Sequence, residues 1–462
     1  MADGTKVVLS TQHNPGFIHV DKVHQETADL VGKLLTENDS EYNIWYNYAG
    51  LHNHTVHQLL TLYALGATPK EVQIAYDINR GSQLPKRKEI ITELISKFHD
   101  PAVFKKYLGR SEYYPEYLKF FQDEVNQKGI KQTILEYLFK GDEASNDLLS
   151  RAFDGFYHGF IHIGCGIEFN QPMVVAEGLA ESAITGSFVA PFLDKADALA
   201  AKHGPSQATL IDLYRSIRED SVIANAIPES DNSGVKLFDT FLPNAGDKIV
   251  PYLAKFTVNS SQLQQKAAEI ANANTLVMAA AQRPDKMEAM DFFFMHSVSV
   301  SLWLRVFLGL DWLSDSIKCK LVETKGRLDL VLHGQNKTPA LYPDRIFNYK
   351  PKNPADGWAE IFARARRYRE DGHGAKLIRG LKHAEDVSRK FYGLPGLELQ
   401  PQYCLTVAHM VMDSIERMDS PDYRIPAGIT QPGLDEEVLR IMVRWVRWCG
   451  MEKSWAYIPN KV

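Results

Sequence analysis

The stretch LHNHTVHQLLTLYALGATP, residues 51–69, decides how this chain folds. Leu59, Leu60, Tyr63 and Ala64 recur at the three- and four-residue spacing of a single helix face. Gly66 stops that helix and Thr68-Pro69 opens the next. The same spacing links Val438, Ile441, Met442 and Trp445 near the C-terminus, Asp21 is read as the start of a helix over 23–35, and Asp100-Pro101 opens another. Strand-like patterns are confined to 6–9 and 328–332. The expectation is a mainly α protein, a compact multi-helix, bundle-like domain with few or no strands, covering 1–462 as one domain. Two breaks in the helical pattern, 228–234 and the run 339–357 with Pro343, Pro351 and Pro354, read as long loops, the second as a lid or subdomain border.

Composition narrows the function. The 462 residues carry 52 Lys plus Arg against 57 Asp plus Glu, a net charge of −5, so no basic field gathers phosphate backbones and nucleic acid is not expected as a partner. With 45% hydrophobic and 24% charged residues, the chain has the make-up of a globular protein and not of a disordered one. Cys165, Cys319, Cys404 and Cys449 are scattered and form no C-x-x-C pair, which argues against a disulfide framework or thiolate zinc site and for a reducing compartment. The opening MADGTKVVLS has neither the apolar core of a secretory signal nor the Arg-rich look of a transit peptide, so the expected location is cytoplasmic. The most apolar run, 292–313, holds His296, Arg305, Asp311 and several serines, and is read as buried helix, with no membrane association.

Eight histidines gather in four groups on expected helices. His52, His54 and His57 form the first, with His54 and His57 sharing a face. In the second, Asp154, His158 and His162 recur every four residues, a stripe of one carboxylate and two imidazoles. His296 sits alone in the apolar helix opened by Asp291. In the fourth, His373, Lys376, Gly380 and His383 line one face. Four helices that aim imidazoles at one centre suit iron, copper, nickel or zinc. Lys376 is the odd member, because an ammonium beside His373 repels a cation. Neutralised by burial or converted by CO2 to a carbamate, it becomes a ligand; otherwise it is a surface lysine.

Rival chemistries fail on particular residues. A carboxylate-bridged di-iron site needs two Glu-x-x-His pairs, and only Glu370 to His373 is present, interrupted by Gly372. His19-Val20-Asp21 imitates half of a facial triad, but Asp21 is read as a helix cap. Gly164-Cys165-Gly166 lacks the third glycine and preceding strand of a dinucleotide fingerprint, and no phosphate-binding loop or G-x-S-x-G elbow occurs. The aromatic residues Trp45, Tyr46, Tyr48 and 292–294 are read as core or as a stacking surface for a flat aromatic ligand.

Together, His52-Asn53-His54 through Gly66-Ala67, Ala75-Tyr76-Asp77, His158 through Phe169, Asp291 through His296, and Asp371-Gly372-His373 to Lys376-Leu377 resemble the questin oxidase-like family of fungal polyketide pathways, over most of the chain. The resemblance implies an oxygenase that cleaves the central quinone ring of an anthraquinone such as questin, with an aromatic polyketide and O2 as small-molecule partners. It leaves the oligomeric state unknown. The family's N-H-x-x and F/Y-H-x-x-I patterns fall on His54 and His158. With the histidine groups, the resemblance implies a mononuclear non-haem Fe(II) site held by His54, His158, His296, His373 and Lys376, the lysine as a carbamate. His57 and His162 would orient substrate or oxygen, and Asp154 and Glu168 would hydrogen-bond ligating histidines. Two alternatives stand beside it: an NADPH-dependent Baeyer-Villiger-type monooxygenase, and a non-catalytic protein that binds aromatic polyketides.

Overall fold

A computed structural model describes residues 1–45, 51–81, 83–419 and 443–461. They form helices joined by irregular segments, and among the described residues β pairing is limited to isolated bridges such as Tyr42 with Pro85 and Trp45 with His52. The mainly α expectation holds. By contact, the chain divides into two compact units, 1–190 with 366–376, and 191–365 with 377–462.

The first unit is built from α1 (Gln25–Glu41), α2 (Thr55–Ala64), α3 (Pro69–Arg80), α4 (Thr92–Ile95), α5 (Pro101–Lys106), α6 (Tyr114–Tyr137), α7 (Glu143–Phe153), α8 (His158–Glu168) and α9 (Pro172–Ile184). Local chemistry sets their ends. Thr68 and Glu71 form a reciprocal capping box ahead of Pro69, and the Asp100 and Asp142 carboxylates accept the N–H groups of Ala102 and Ser145. Gly66 ends the α2 turn at φ +75°, in the left-handed region that glycine enters without strain. α9 is buried along its whole length and packs against α6, α7 and α8, while α2 packs against α1, α3 and α8. Glycines permit the tight α8–α9 crossing: a Cβ on Gly178 would stand 2.6 Å from the Ile163 backbone nitrogen, and one on Gly166 2.6 Å from that of Val175. Since α8 and α9 carry much of the polar interior described below, this contact positions it.

In the second unit, Leu263–Ala280 is the central helix, packed by Leu210–Glu219, Phe292–Ser299, Ser301–Leu308, Asp315–Gln335 and Tyr403–Met418. Its interior includes a fully buried Lys325–Asp329 pair, to which Asn274 donates at 2.7 Å while accepting from the Tyr214 hydroxyl at 2.6 Å.

Several expectations need correction. Residues 328–332 lie inside the helix Asp315–Gln335, and the apolar run read as a strand is its buried face. Residues 6–9 are extended and bury Val7 and Leu9, but they belong to no strand; the bridge nearby joins Asp3 and Lys6. The helix expected over 23–35 runs Gln25–Glu41 with His24, not Asp21, beside its first turn. The 292–313 run is two buried helices, Phe292–Ser299 and Ser301–Leu308, and no helix among the described residues is long and apolar enough to cross a membrane. Residues 228–234 are irregular, and 339–357 lies within the second unit with the short helix Asp344–Phe347. Of the C-terminal helix read from Val438, Ile441, Met442 and Trp445, the first three lie outside the described residues, as do Tyr46 and Tyr48; Trp445 is buried.

Gly178→Ala is expected to destabilise the protein by about 1–3 kcal/mol, because the backbone of α8 must give way to the new methyl. Urea denaturation measures this, and an unchanged midpoint would contradict the α8–α9 contact.

Candidate metal centre

Three segments of the first unit bring imidazoles together. The first is the approach to α2. Asn53 accepts the Thr55 N–H at 3.0 Å and the Gln83 amide at 2.9 Å, and donates to Asn38 Oδ1 at 2.9 Å. This buried amide network fixes His54 at the N-terminal boundary of α2.

The second is the turn into α8. Gly155, Phe156 and Tyr157 all have positive φ (+57°, +58° and +69°), a strained conformation for two bulky residues. The Asp154 carboxylate holds the turn by accepting the N–H groups of Gly155, Phe188 and Val189 at 3.1, 2.6 and 3.2 Å. The turn delivers His158 as the first residue of α8, its Nδ1 2.7 Å from the Gly155 carbonyl.

The third is the returning segment 366–376. Arg366 donates to the Gly66 carbonyl at 3.1 Å, and Gln58 donates to the Glu370 carbonyl at 2.8 Å. Gly372 has φ +102°, and a Cβ there would lie 2.7 Å from that of Gln58. The Glu370 carboxylate accepts the Ala375 N–H at 3.0 Å, inside the first turn of the helix His373–Phe391.

The geometry that results is directional. His373 Nδ1 lies 2.8 Å from one oxygen of Asp371, and His54 Nδ1 lies 3.5 Å from the other. With Nδ1 of His158 donating to Gly155, the Nδ1 of each of the three rings faces an acceptor, so the neutral form of each carries its lone pair on Nε2. His54 Nε2 and His158 Nε2 stand 2.9 Å apart. Two lone pairs at that distance repel unless a proton or a metal ion lies between them. Two nitrogens bonded to one ion at right angles, each by about 2.1 Å, are separated by about 3 Å. Ligating atoms of His54, Asp371 and His373 also all lie within 4.8 Å of one another. Asp371 therefore fits either of two roles: a third donor beside two imidazoles, or the carboxylate that orients both rings through Nδ1.

Burial keeps these groups in the state a metal requires. It pushes the His373 imidazole down to about 3, holds His54 below and His57 well below the usual histidine range, and lowers Lys376 to about 8. Burial alone would raise Asp371, but the hydrogen bonds from His373 and His54 outweigh it and hold the carboxylate ionised.

His54, His158, His373 and Lys376 thus all belong to the first unit, together with His57 and His162. The His57 ring stands 5.9 Å from His54, 6.0 Å from His158 and 5.1 Å from His162. His52 stacks flat on His158 at 4.0 Å. His296 belongs to the second unit, where Asp291 caps its helix and its Nδ1 lies 2.7 Å from the Phe292 carbonyl. His383 also lies in the second unit, held down to about 3 by burial.

Two of the expected orienting carboxylates do other work. Asp154 is the cap residue after α7, separated from α8 by the strained turn, so the four-residue stripe is broken. Glu168 accepts the Phe17 N–H at 2.8 Å. The carboxylates beside the histidines are instead Asp371, Glu177 and Glu181. Glu177 and Glu181 had a visible signal: two acids four residues apart in the otherwise uncharged PMVVAEGLAESAI.

The profile of the Questin oxidase-like family matches residues 51–381. The chain is 39% identical to "Oxidoreductase AflY" of Aspergillus parasiticus over 98% of this chain and 93% of that protein. It is 35% identical to "Baeyer-Villiger oxidase ptaJ" of Pestalotiopsis fici over 88% of this chain and 92% of the relative. It is 30% identical to "Questin oxidase" of Aspergillus terreus over 99% and 98%. The chain belongs to the questin oxidase-like family, whose relatives bear oxidoreductase names.

Burial raises the Glu181 carboxyl from 4.5 to about 7. Its folded pKa lies above its unfolded one, so the folded state gives up stability as pH climbs between those values. Glu181→Gln removes that dependence. Relative to wild type, the variant should gain on the order of 1–3 kcal/mol between about pH 5 and about pH 8, read by urea denaturation across pH. A pH-independent difference would contradict the assignment.

Proposed function

We propose that this protein is an oxygenase that opens the central quinone ring of a questin-like anthraquinone with O2, at a mononuclear non-haem Fe(II) site in the first unit. The observation that carries this reading is the 2.9 Å approach of His54 Nε2 to His158 Nε2, in rings whose other nitrogens face acceptors. The fit between the donor set and a metal rests on neutral imidazoles, an ionised carboxylate and a lysine made less basic by burial. Names of relatives, "Questin oxidase" among them, support the substrate class.

His54, His158 and His373 hold the ion through Nε2, and Asp371 keeps two of these rings in the tautomer that leaves Nε2 deprotonated. Lys376, one helical turn beyond His373, takes up CO2 as the neutral amine: its nitrogen lone pair bonds to the carbon, one C=O π pair moves onto oxygen, the nitrogen then loses one proton to solvent, and the resulting carbamate presents an anionic oxygen. Bound iron supplies the capture and one-electron activation of O2. His57 directs the substrate and moves protons at its oxygens, and His162, whose two nitrogens face Glu181 and Glu177, stands behind it as a proton carrier.

A second reading has its own support, since several relatives are named Baeyer-Villiger oxidases. Under it, turnover requires NADPH and proceeds in metal-free protein.

Oxygen uptake by anaerobically Fe(II)-reconstituted protein with questin separates the two. Iron-dependent uptake with a ring-opened product is expected, and NADPH-dependent turnover in chelator-treated protein would overturn the iron reading. Lys376→Ala should abolish the iron-dependent rate and recover part of it in short carboxylic acids. Full activity of that variant without added acid would remove the carbamate.

A further inference from the structure

Beside the imidazole cluster, a file of titratable side chains runs through the interior of the first unit. Glu181, 1% exposed, lies with one oxygen 3.7 Å from His52 Nε2 and the other 3.4 Å from His162 Nδ1. The opposite nitrogen of His162, Nε2, lies 3.3 Å from Glu177 Oε2. The Glu177 and Asp39 carboxyl groups lie close enough to shift each other's titration. Asp39 stands 4.0 Å from the ammonium of Lys86, which is 14% exposed and also donates to the Asp39 carbonyl.

This file cannot be satisfied by ordinary charge states. A neutral imidazole has one N–H and one lone pair, yet His162 meets a carboxyl group at each nitrogen. Two buried carboxyl groups that act on each other, as Asp39 and Glu177 do, likewise repel unless one carries a proton. At least one acid in the file is therefore protonated or His162 is charged, and the same atoms accept the protons in two mirror arrangements. Burial agrees with this, raising Asp39 and Glu181 to about 7 and Glu177 to about 8. The other polar groups facing the file are Gln122 of α6, which donates to Asp39 at 3.2 Å, Tyr114 of α6, His52, His57 and Lys376.

We propose that Asp39, Glu177, His162 and Glu181 form a proton relay between Lys86 at the surface and the imidazole cluster. A proton entering at Asp39 is matched by one leaving the Asp39 carboxyl for Glu177. Glu177 protonates His162 Nε2, His162 releases the proton on Nδ1 to Glu181, and Glu181 passes one to the imidazole cluster, which it faces at His52 Nε2, 3.7 Å away. Each group gains one proton and loses one, no net charge is left behind, and nothing is oxidised or reduced. The role in turnover rests on the oxygenase reading, since oxygen chemistry exchanges protons; the relay itself does not.

Infrared spectroscopy of the intact protein tests the relay without turnover. At neutral pH the wild type should show the carbonyl stretch of a protonated carboxylic acid, weakened in Glu177→Gln. On rapid mixing into D2O, that band should shift long before the core amides exchange. Asp39→Asn should slow this shift by at least about tenfold with amide exchange unchanged. A wild-type band that is identical in Glu177→Gln, or that exchanges only with the core amides, would overturn the relay. In iron-loaded protein turning over questin, Glu177→Gln should lower kcat by about 100-fold, with KM and iron content unchanged and part of the rate restored in Glu177→Asp. An unchanged kcat would overturn its part in turnover. Fast exchange in protein that takes up no oxygen would uphold the relay and remove the oxygenase reading.

Discussion

The Asp371 carboxylate is the interaction on which the candidate site depends. One oxygen receives the Nδ1 of His373 and the other faces the Nδ1 of His54, so a single side chain sets the tautomer of two rings on two separate segments. Remove it and each ring is free to place its proton on either nitrogen, and the 2.9 Å approach of His54 Nε2 to His158 Nε2 loses its reason. The segment that bears Asp371 is held in turn by Gln58 and Arg366, and the positive φ of Gly372 lets it lie close against α2. The strained turn at 155–157 does the corresponding work for His158.

Around this contact the fold accepts a costly interior. Burial drives imidazoles towards their neutral form and carboxyl groups towards theirs, so the first unit assembles lone pairs and exchangeable protons in place of charges. Such an interior is less stable than one of leucines, and perturbed buried groups of this kind gather at functional sites. Asp371 is the exception: it stays ionised because two imidazoles donate to it, which puts one fixed negative charge where a cation would sit.

Helices were legible in the sequence because capping residues and apolar spacing act locally: Thr68-Pro69, Asp100-Pro101 and Gly66 each do what their side chains or backbone dictate. The 328–332 run misled because a short apolar stretch looks alike as a buried strand or as a helix face. The histidine groups announced a site, but spacing could not rank their members. His54 and His158 owe their orientation to an amide network and a strained turn whose partners, Asn38, Gln83, Phe188 and Val189, lie away from them in sequence. Asp154 seemed to continue a helical stripe and instead caps the break in it. Asp39 carries no local signal, since the partners of its buried carboxyl group, Gln122 and Lys86, come from segments distant in sequence.

The central claim is that Nε2 atoms of His54, His158 and His373 surround one metal ion. Diffraction from crystals of the iron-reconstituted protein, recorded on both sides of the iron absorption edge, tests this most directly. The account predicts a single anomalous peak within bonding distance of all three Nε2 atoms. Catalytically active crystals with no peak there would contradict it.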